Sequence, residues 1–226
     1  MSDTRSAVTT WLQQRGLTLV LLGLFFLSGV GQIWSGWREY NADQREHGQA
    51  AVSLGGYFST GHLYEALFEN WESEFLQMAA FVVLTGLLVQ KGSPESRRFN
   101  VTEPFDAEPR DHRHDPDVPW PVRRGGWVLT LYENSLSLAF ALLFVCSWVG
   151  HLLGGFAAFR EEALTHGQPV PELWSYLWSS RLWFESFQNW QSEFLSIAAM
   201  VWFSVYLRQR GSPESKAVHA AHSEHD

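Results

Sequence analysis

The sequence predicts an all-α integral membrane protein, a compact four-helix bundle built from two tandem, parallel two-helix repeats. Three observations carry this reading. The apolar residues, 46% of 226, are gathered into four blocks, with prolines, histidines and charges between them. A long segment of the chain recurs without a gap 119 residues later. Twelve tryptophans are many for this length, and indoles favour the headgroup level, where an apolar ring meets a polar partner for its N–H. The mean hydropathy of -0.14 resembles that of a soluble domain only because the polar connections offset the apolar blocks.

The first block, about 17–37, has no ionisable group in its core from Leu17 to Leu27, long enough with its flanks to reach across hydrocarbon. It is too long for a signal-peptide core and lacks a small-residue cleavage site, so it reads as a helix preceded by a cytoplasmic N-terminus, 1–16. The second block, 75–89, is short and must borrow an N-terminal extension from Asn70 to Glu74. The third, 129–156, carries Glu133 and Asn134 near its start and His151 near its end, and the fourth, 194–207, repeats the short pattern of the second. The expected divisions are a first two-span repeat over 17–97, a cytoplasmic linker over 98–124, a second repeat over 125–216 and a disordered cytoplasmic tail over 217–226. Five of the nine prolines fall in the linker, which reads as an extended segment able to recruit a protein partner.

Basic residues set the orientation, because cytoplasmic loops retain Lys and Arg in excess. Twelve of the sixteen lie in 1–16, 91–124 or after 207, which places both termini and the linker in the cytoplasm. The two remaining connections are net negative. A formal net charge of -8 without a concentrated basic surface excludes a nucleic-acid partner. The single cysteine, Cys146, excludes an internal disulfide framework.

Aligning 16–97 with 135–216 gives 31 identities among 82 pairs. They include His47-Gly48-Gln49 with His166-Gly167-Gln168, Asn70-Trp71 with Asn189-Trp190, Ser73-Glu74-Phe75-Leu76 with Ser192-Glu193-Phe194-Leu195, and Gly92-Ser93-Pro94-Glu95-Ser96 with Gly211-Ser212-Pro213-Glu214-Ser215. Two spans per unit bring the second unit into the membrane in the same direction as the first, so a pseudo-twofold axis along the membrane normal is expected. The duplicated Asn-Trp-x-Ser-Glu-Phe-Leu and Gly-Ser-Pro-Glu-Ser motifs resemble those of a bacterial family of small multi-span membrane proteins of unknown function. The resemblance covers nearly the whole chain and implies an inner-membrane protein with lipid as its surroundings. It supplies no catalytic residue, substrate or cofactor.

At helical spacing, Asn70, Ser73, Glu74 and Gln77 form one polar stripe, and Asn189, Ser192, Glu193 and Ser196 form its twin. If the stripes converge, Glu74 and Glu193 make a carboxylate pair able to hold a proton or cation; at the headgroup level they only tie helix ends together. His47 and His166 are the candidate metal ligands, with a solvent-facing turn as the plainer reading. His151 stands where the first unit has Gln32 and suits an interhelical hydrogen bond; with no second histidine in the spans, haem is not expected. Gly150 and Gly154, with counterparts Gly31 and Ser35, permit close helix packing. The Gly-Ser-Pro motifs read as helix stops, with glycine as a left-handed cap.

No nucleophile triad, phosphate loop or metalloprotease motif is present, which argues against an enzyme, and no cofactor is expected. The favoured function is a non-enzymatic structural or interaction protein of the bacterial inner membrane. The alternative is a small cation or proton channel or transporter using the paired stripes. The oligomeric state is not legible from the sequence.

Overall fold

The computed structural model describes residues 2–220, so the end of the expected tail, 221–226, lies outside the described residues. The described residues form helices and turns with no strand. Helix α1 spans Ser2–Glu46, so the first apolar block is the middle of one continuous helix. A short α2 (Leu54–Tyr57), capped by Ser53 Oγ accepting from Gly56 N at 3.0 Å, leads into α3 (Gly61–Leu87). The linker contains two 3-10 turns, Pro104–Asp106 and Pro109–His112, and a helix α4 (Trp120–Arg124). Then come α5 (Gly126–Glu133), α6 (Ser135–Thr165), α7 (Leu173–Leu177) and α8 (Ser180–Tyr206).

The third apolar block is therefore not one helix. Asn134, at φ -107 and ψ 10, separates α5 from α6, and its side-chain amide donates back to Thr130 O at 2.8 Å. An amide that satisfies the local backbone competes with helix continuation, which is why the break falls there.

The helix ends recur at the repeat spacing. Both α1 and α6 stop before a His-Gly-Gln, with Gly48 at φ 71 and Gly167 at φ 63, and the glutamine N–H that follows reaches back to Gln44 O at 2.7 Å or Ala163 O at 2.8 Å. Only glycine enters this left-handed region without strain, and the bond satisfies a carbonyl the helix end leaves open. The Gly-Ser-Pro-Glu-Ser motifs play a different part from the one the sequence suggested. Both α3 and α8 have already stopped, with Leu88 and Leu207 extended, and the motif folds as a separate turn in which Ser96 and Ser215 Oγ accept from Gln90 N and Gln209 N at 2.8 and 2.9 Å.

Packing centres on α3. Helix α6 lies along it with the two backbones touching: a Cβ on Gly154 would stand 2.6 Å from Glu65 N, and one on Gly61 would collide with the backbone of Ala157 and Ala158. Gly150 faces the Phe68 ring in the same way. Of the four small residues expected to pack helices, Gly150 and Gly154 do so within the chain. Gly31 has nothing within 4 Å of its Cβ position, and Ser35 is exposed with its hydroxyl bonded to Gly31 O. Helix α8 packs on α3 through Gln77 Nε2, which donates to Glu193 O at 3.1 Å and Ser196 Oγ at 2.9 Å, and the turn after α3 meets α8 through Ser93 and Ser204, whose hydroxyls are 2.8 Å apart.

Helix α1 departs from the compact four-helix packing expected. Its apolar residues are exposed from Leu17 to Val30, and it shares no packed face with α8. It meets the rest chiefly near its C-terminal end, where Tyr40, Tyr57 and Leu63 form a buried cluster with Ile33, Trp37 and Val52. Tyr40 donates a short hydrogen bond to Glu161, Gln44 Nε2 donates to the same carboxylate at 3.0 Å, and His62 Nε2 pairs with Glu39 at 3.0 Å. Two helical stretches, Thr10–Glu46 and Ser135–Thr165, are long and apolar enough to cross a membrane.

Candidate functional site: a buried histidine–carboxylate cluster

Three glutamates of α3, Glu65, Glu69 and Glu72, recur at helical spacing and so share one face, which is turned toward α6 and α8. His151 of α6 meets this face. Both His151 and Glu72 are 0% exposed, with His151 Nδ1 3.0 Å from Glu72 Oε2. The other oxygen of Glu72 accepts from Trp190 Nε1 of α8 at 3.2 Å. The far side of the ring approaches α8, with Nε2 3.4 Å from Glu185 Oε2. Since Glu72 Oε2 can only accept when ionised, Nδ1 then carries the hydrogen, and the state of Nε2 decides whether the ring is cationic.

Beyond Glu185 the polar contacts continue toward the ends where α3 and α8 begin. Arg181 Nε donates to Glu185 Oε1 at 3.1 Å, its Nη1 to Glu162 Oε2 at 2.5 Å, and its Nη2 lies 3.5 Å from Glu65 Oε1. Glu69 Oε1 accepts from Asn189 Nδ2 at 2.5 Å. A cavity of about 200 Å³ opens here, lined by Glu65, Arg181, Glu162, His62, His47 and His166 among others. Contacts thus run from Glu72 through His151, Glu185 and Arg181 to an open cavity.

The charges do not balance. Glu65, Glu69, Glu72 and Glu185 are set against Arg181 and a titratable His151, in a place where an uncompensated charge is costly. Several polar atoms are also buried without a hydrogen-bond partner: His151 Nε2, Glu185 Oε2, Tyr176 Oη and Ser186 Oγ. Two of these atoms, His151 Nε2 and Glu185 Oε2, stand 3.4 Å apart, so a single proton between them serves both.

The polar stripes expected from the sequence are placed less uniformly. Ser73 and Gln77 are buried, while Asn70 and Glu74 are exposed, Asn70 bonding back to Ala66 O at 2.8 Å. On α8, Asn189 and Glu193 are half-buried, whereas Ser192 and Ser196 are exposed and bond to carbonyls of their own helix at 2.8 Å. The structure brings together Gln77, Glu193 and Ser196, and carries Asn189 to Glu69 instead of to Asn70. His47 and His166 do approach one another, with ring centroids 5.2 Å apart, and each Nδ1 is bonded to a carbonyl four residues earlier. Among the described residues no group of three or more His, Cys, Asp or Glu is placed to hold a metal ion.

Sequence reasoning passed over Glu65, Glu69, Arg181 and Glu185 because they fall in segments assigned to the acidic outer connections, and it gave Glu72 no role beyond the polar extension from Asn70 to Glu74. The available signal was the spacing of the three glutamates, which makes a stripe on a helix, together with an ionisable His151 inside an apolar block.

The family model described as a domain of unknown function, DUF6766, matches residues 8–226, and the chain belongs to that family. No curated protein and no solved structure matches it.

Proposed function

We propose that this is an inner-membrane protein of bacteria in which α1, α3, α6 and α8 all cross the bilayer, and that the cluster around His151 moves protons or binds a small cation. Helices α3 and α8 have 27 residues each, about 40 Å at 1.5 Å per residue, against a hydrocarbon thickness of about 30 Å. Glu72, Ser73 and Gln77 of α3 and Ser186 of α8 are buried against the neighbouring helices, which lets α3 and α8 lie in the membrane despite falling short on hydropathy. The distribution of Lys and Arg supports cytoplasmic termini and a cytoplasmic linker.

The observation that carries the function is His151, wholly buried in an apolar helix and flanked by Glu72 and Glu185 on its two ring nitrogens. A ring so placed accepts a proton on Nε2 from one side and releases it after reorientation or exchange, with Arg181 and Glu65 leading to the cavity. The test is proton flux in vesicles of purified protein, read with an internal pH dye under an imposed gradient. Wild type is expected to carry flux, and His151→Gln and Glu185→Gln to abolish it while retaining the fold. Absent flux in wild type, or unchanged flux in folded variants, overturns the reading.

A non-enzymatic structural or interaction role is the second reading, favoured by one observation: α1 presents an apolar face that the chain leaves uncovered. Reporter fusions on the linker and within 48–60 test the topology common to both readings, with the linker expected inside and 48–60 outside.

A further inference from the structure

We infer that α1 of one chain packs on α8 of a second copy, closing a homodimer in which four repeat units form a ring. The inference stands apart from the proton reading. Its starting point is the contact seen inside the chain, where α3 of the first unit receives α6 of the second. That contact depends on Gly150 against Phe68, on Gly154 against the backbone of Tyr64 and Glu65, on Gly61 against the backbone of α6, and on the hydrogen bond between His151 and Glu72.

Moving each residue by 119 positions carries the α6 side onto α1 and the α3 side onto α8. Gly150 becomes Gly31, while Gly154 becomes Ser35 and Gly61 becomes Ser180, so the counterpart contact keeps one glycine and two small serines, whose Cβ atoms set α1 and α8 about 1 Å further apart than α6 and α3. Phe68 becomes Phe187, the same ring. The buried His151–Glu72 pair becomes Gln32–Gln191, in which two amides can each donate and accept. Where one contact has a histidine and a carboxylate, its counterpart has two neutral amides able to bond to each other. The α1 and α8 surfaces are thus complementary to each other in the way the α6 and α3 surfaces are.

Within one chain these surfaces do not meet. A Cβ on Gly31 has open space, and Phe187 is 57% exposed. A contact from the second unit back to a first unit must therefore use another copy, and two copies make the smallest ring into which such head-to-tail contacts can close. Equivalent residues of the two units already approach each other, His47 with His166 and Gln77 with Ser196, as residues near a central axis do. The occupant is a second copy because its surface is the repeat counterpart of an interface the chain already makes.

Disulfide cross-linking in native membranes tests this in a Cys146→Ser background. Chains carrying only Gly31→Cys and chains carrying only Phe187→Cys, tagged differently and co-expressed, are expected to form a product of two chains, each of 25.8 kDa. Gly150→Cys with Phe68→Cys in one chain serves as the internal control and should join within the chain. Native mass measurement should show two copies for wild type. Gly31→Leu, which meets nothing inside its own chain, should lower the dimer fraction at least tenfold while the monomer stays folded. A Gly31→Cys, Phe187→Cys double variant that closes within a single chain overturns the proposal. So does a wild type that is monomeric, with lipid covering both faces, or that assembles in more than two copies.

Discussion

Replacing Gly154 by alanine tests the contact on which the buried cluster depends. A methyl group there would stand 2.6 Å from Glu65 N and 2.8 Å from Tyr64 C, against an ordinary carbon contact of about 3.5–4.0 Å. These are backbone atoms of a packed helix, so no side chain can swing aside and α3 and α6 must separate locally by about 1 Å. A gap of that size forfeits about a quarter to a half of each contact's attraction along the seam. Overpacking of this kind costs about 1–3 kcal/mol, while alanine regains about 1 kcal/mol of helix propensity over glycine wherever it stands.

The control is Gly23→Ala on α1, where the added carbon meets nothing within 4 Å. It gains the propensity without the clash and should be neutral or slightly stabilising. The expected difference between the two variants is about 1–3 kcal/mol, equal to the clash itself because the propensity gain is common to both. Unfolding in mixed micelles with increasing SDS, followed by tryptophan fluorescence, reads it directly. Equal midpoints for Gly154→Ala and Gly23→Ala would refute the reasoning, since they would mean that the helices are not in backbone contact.

Three further outcomes follow from the geometry. Glu72→Leu strips partners from His151 Nδ1 and Trp190 Nε1 and should destabilise by about 2–5 kcal/mol, whereas Glu72→Gln, which keeps an acceptor, should cost less than half as much in the same SDS titration. Tyr57→Phe loses a bond to His62 Nδ1 of 2.9 Å and should cost about 1 kcal/mol, while Tyr176→Phe, at the equivalent position of the second unit, removes a buried hydroxyl without a partner and should be neutral or stabilising. Glu95, beyond the end of α3, is pushed up to about 7 by burial first and by the hydrogen bond and charge of Glu214 next. The folded state therefore holds a proton that the unfolded chain releases near 4.5, so stability falls as pH rises from about 4.5 to 7 and levels off above. Glu95→Gln should remove that slope and raise the SDS midpoint at pH 8.

What the sequence made legible was local. The stops of α1 and α6 are written in His-Gly-Gln, because a left-handed glycine acts on the few residues beside it. Which faces meet was not legible. The apolar stretches of α1 and α6 have nearly equal hydropathy, 1.9 and 2.0, yet α6 lies against α3 and α1 stands largely apart. Hydropathy measures what a helix can tolerate around it; the partner is decided by shape, here by glycines that let two backbones touch. The break at Asn134 was hidden for a related reason, since an amide inside an apolar run lowers hydropathy only slightly but can bond the preceding turn.

The buried cluster escaped for a reason that lies in the repeat itself. Matching the two units highlights what they share, and what they share is scaffold: helix stops, the Ser-Glu-Phe-Leu turn of helix, the buried Tyr57 and Tyr176. Asn189 and Trp190, which bond Glu69 and Glu72, are shared between the units, but the ionisable groups at the heart of the cluster sit where the units differ. Glu65 faces Phe184 in the alignment, Glu69 faces Gln188, Glu72 faces Gln191, and His151, Arg181 and Glu185 face Gln32, His62 and Ala66. Ionisable groups buried between helices need each other, so a pair such as His151 and Glu72 is kept or lost as a unit, and duplication lets one contact carry it while the other stays neutral. In this duplicated chain, then, the identities locate the frame, and the buried ionisable groups around His151 stand at positions where one unit carries a charge that the other lacks.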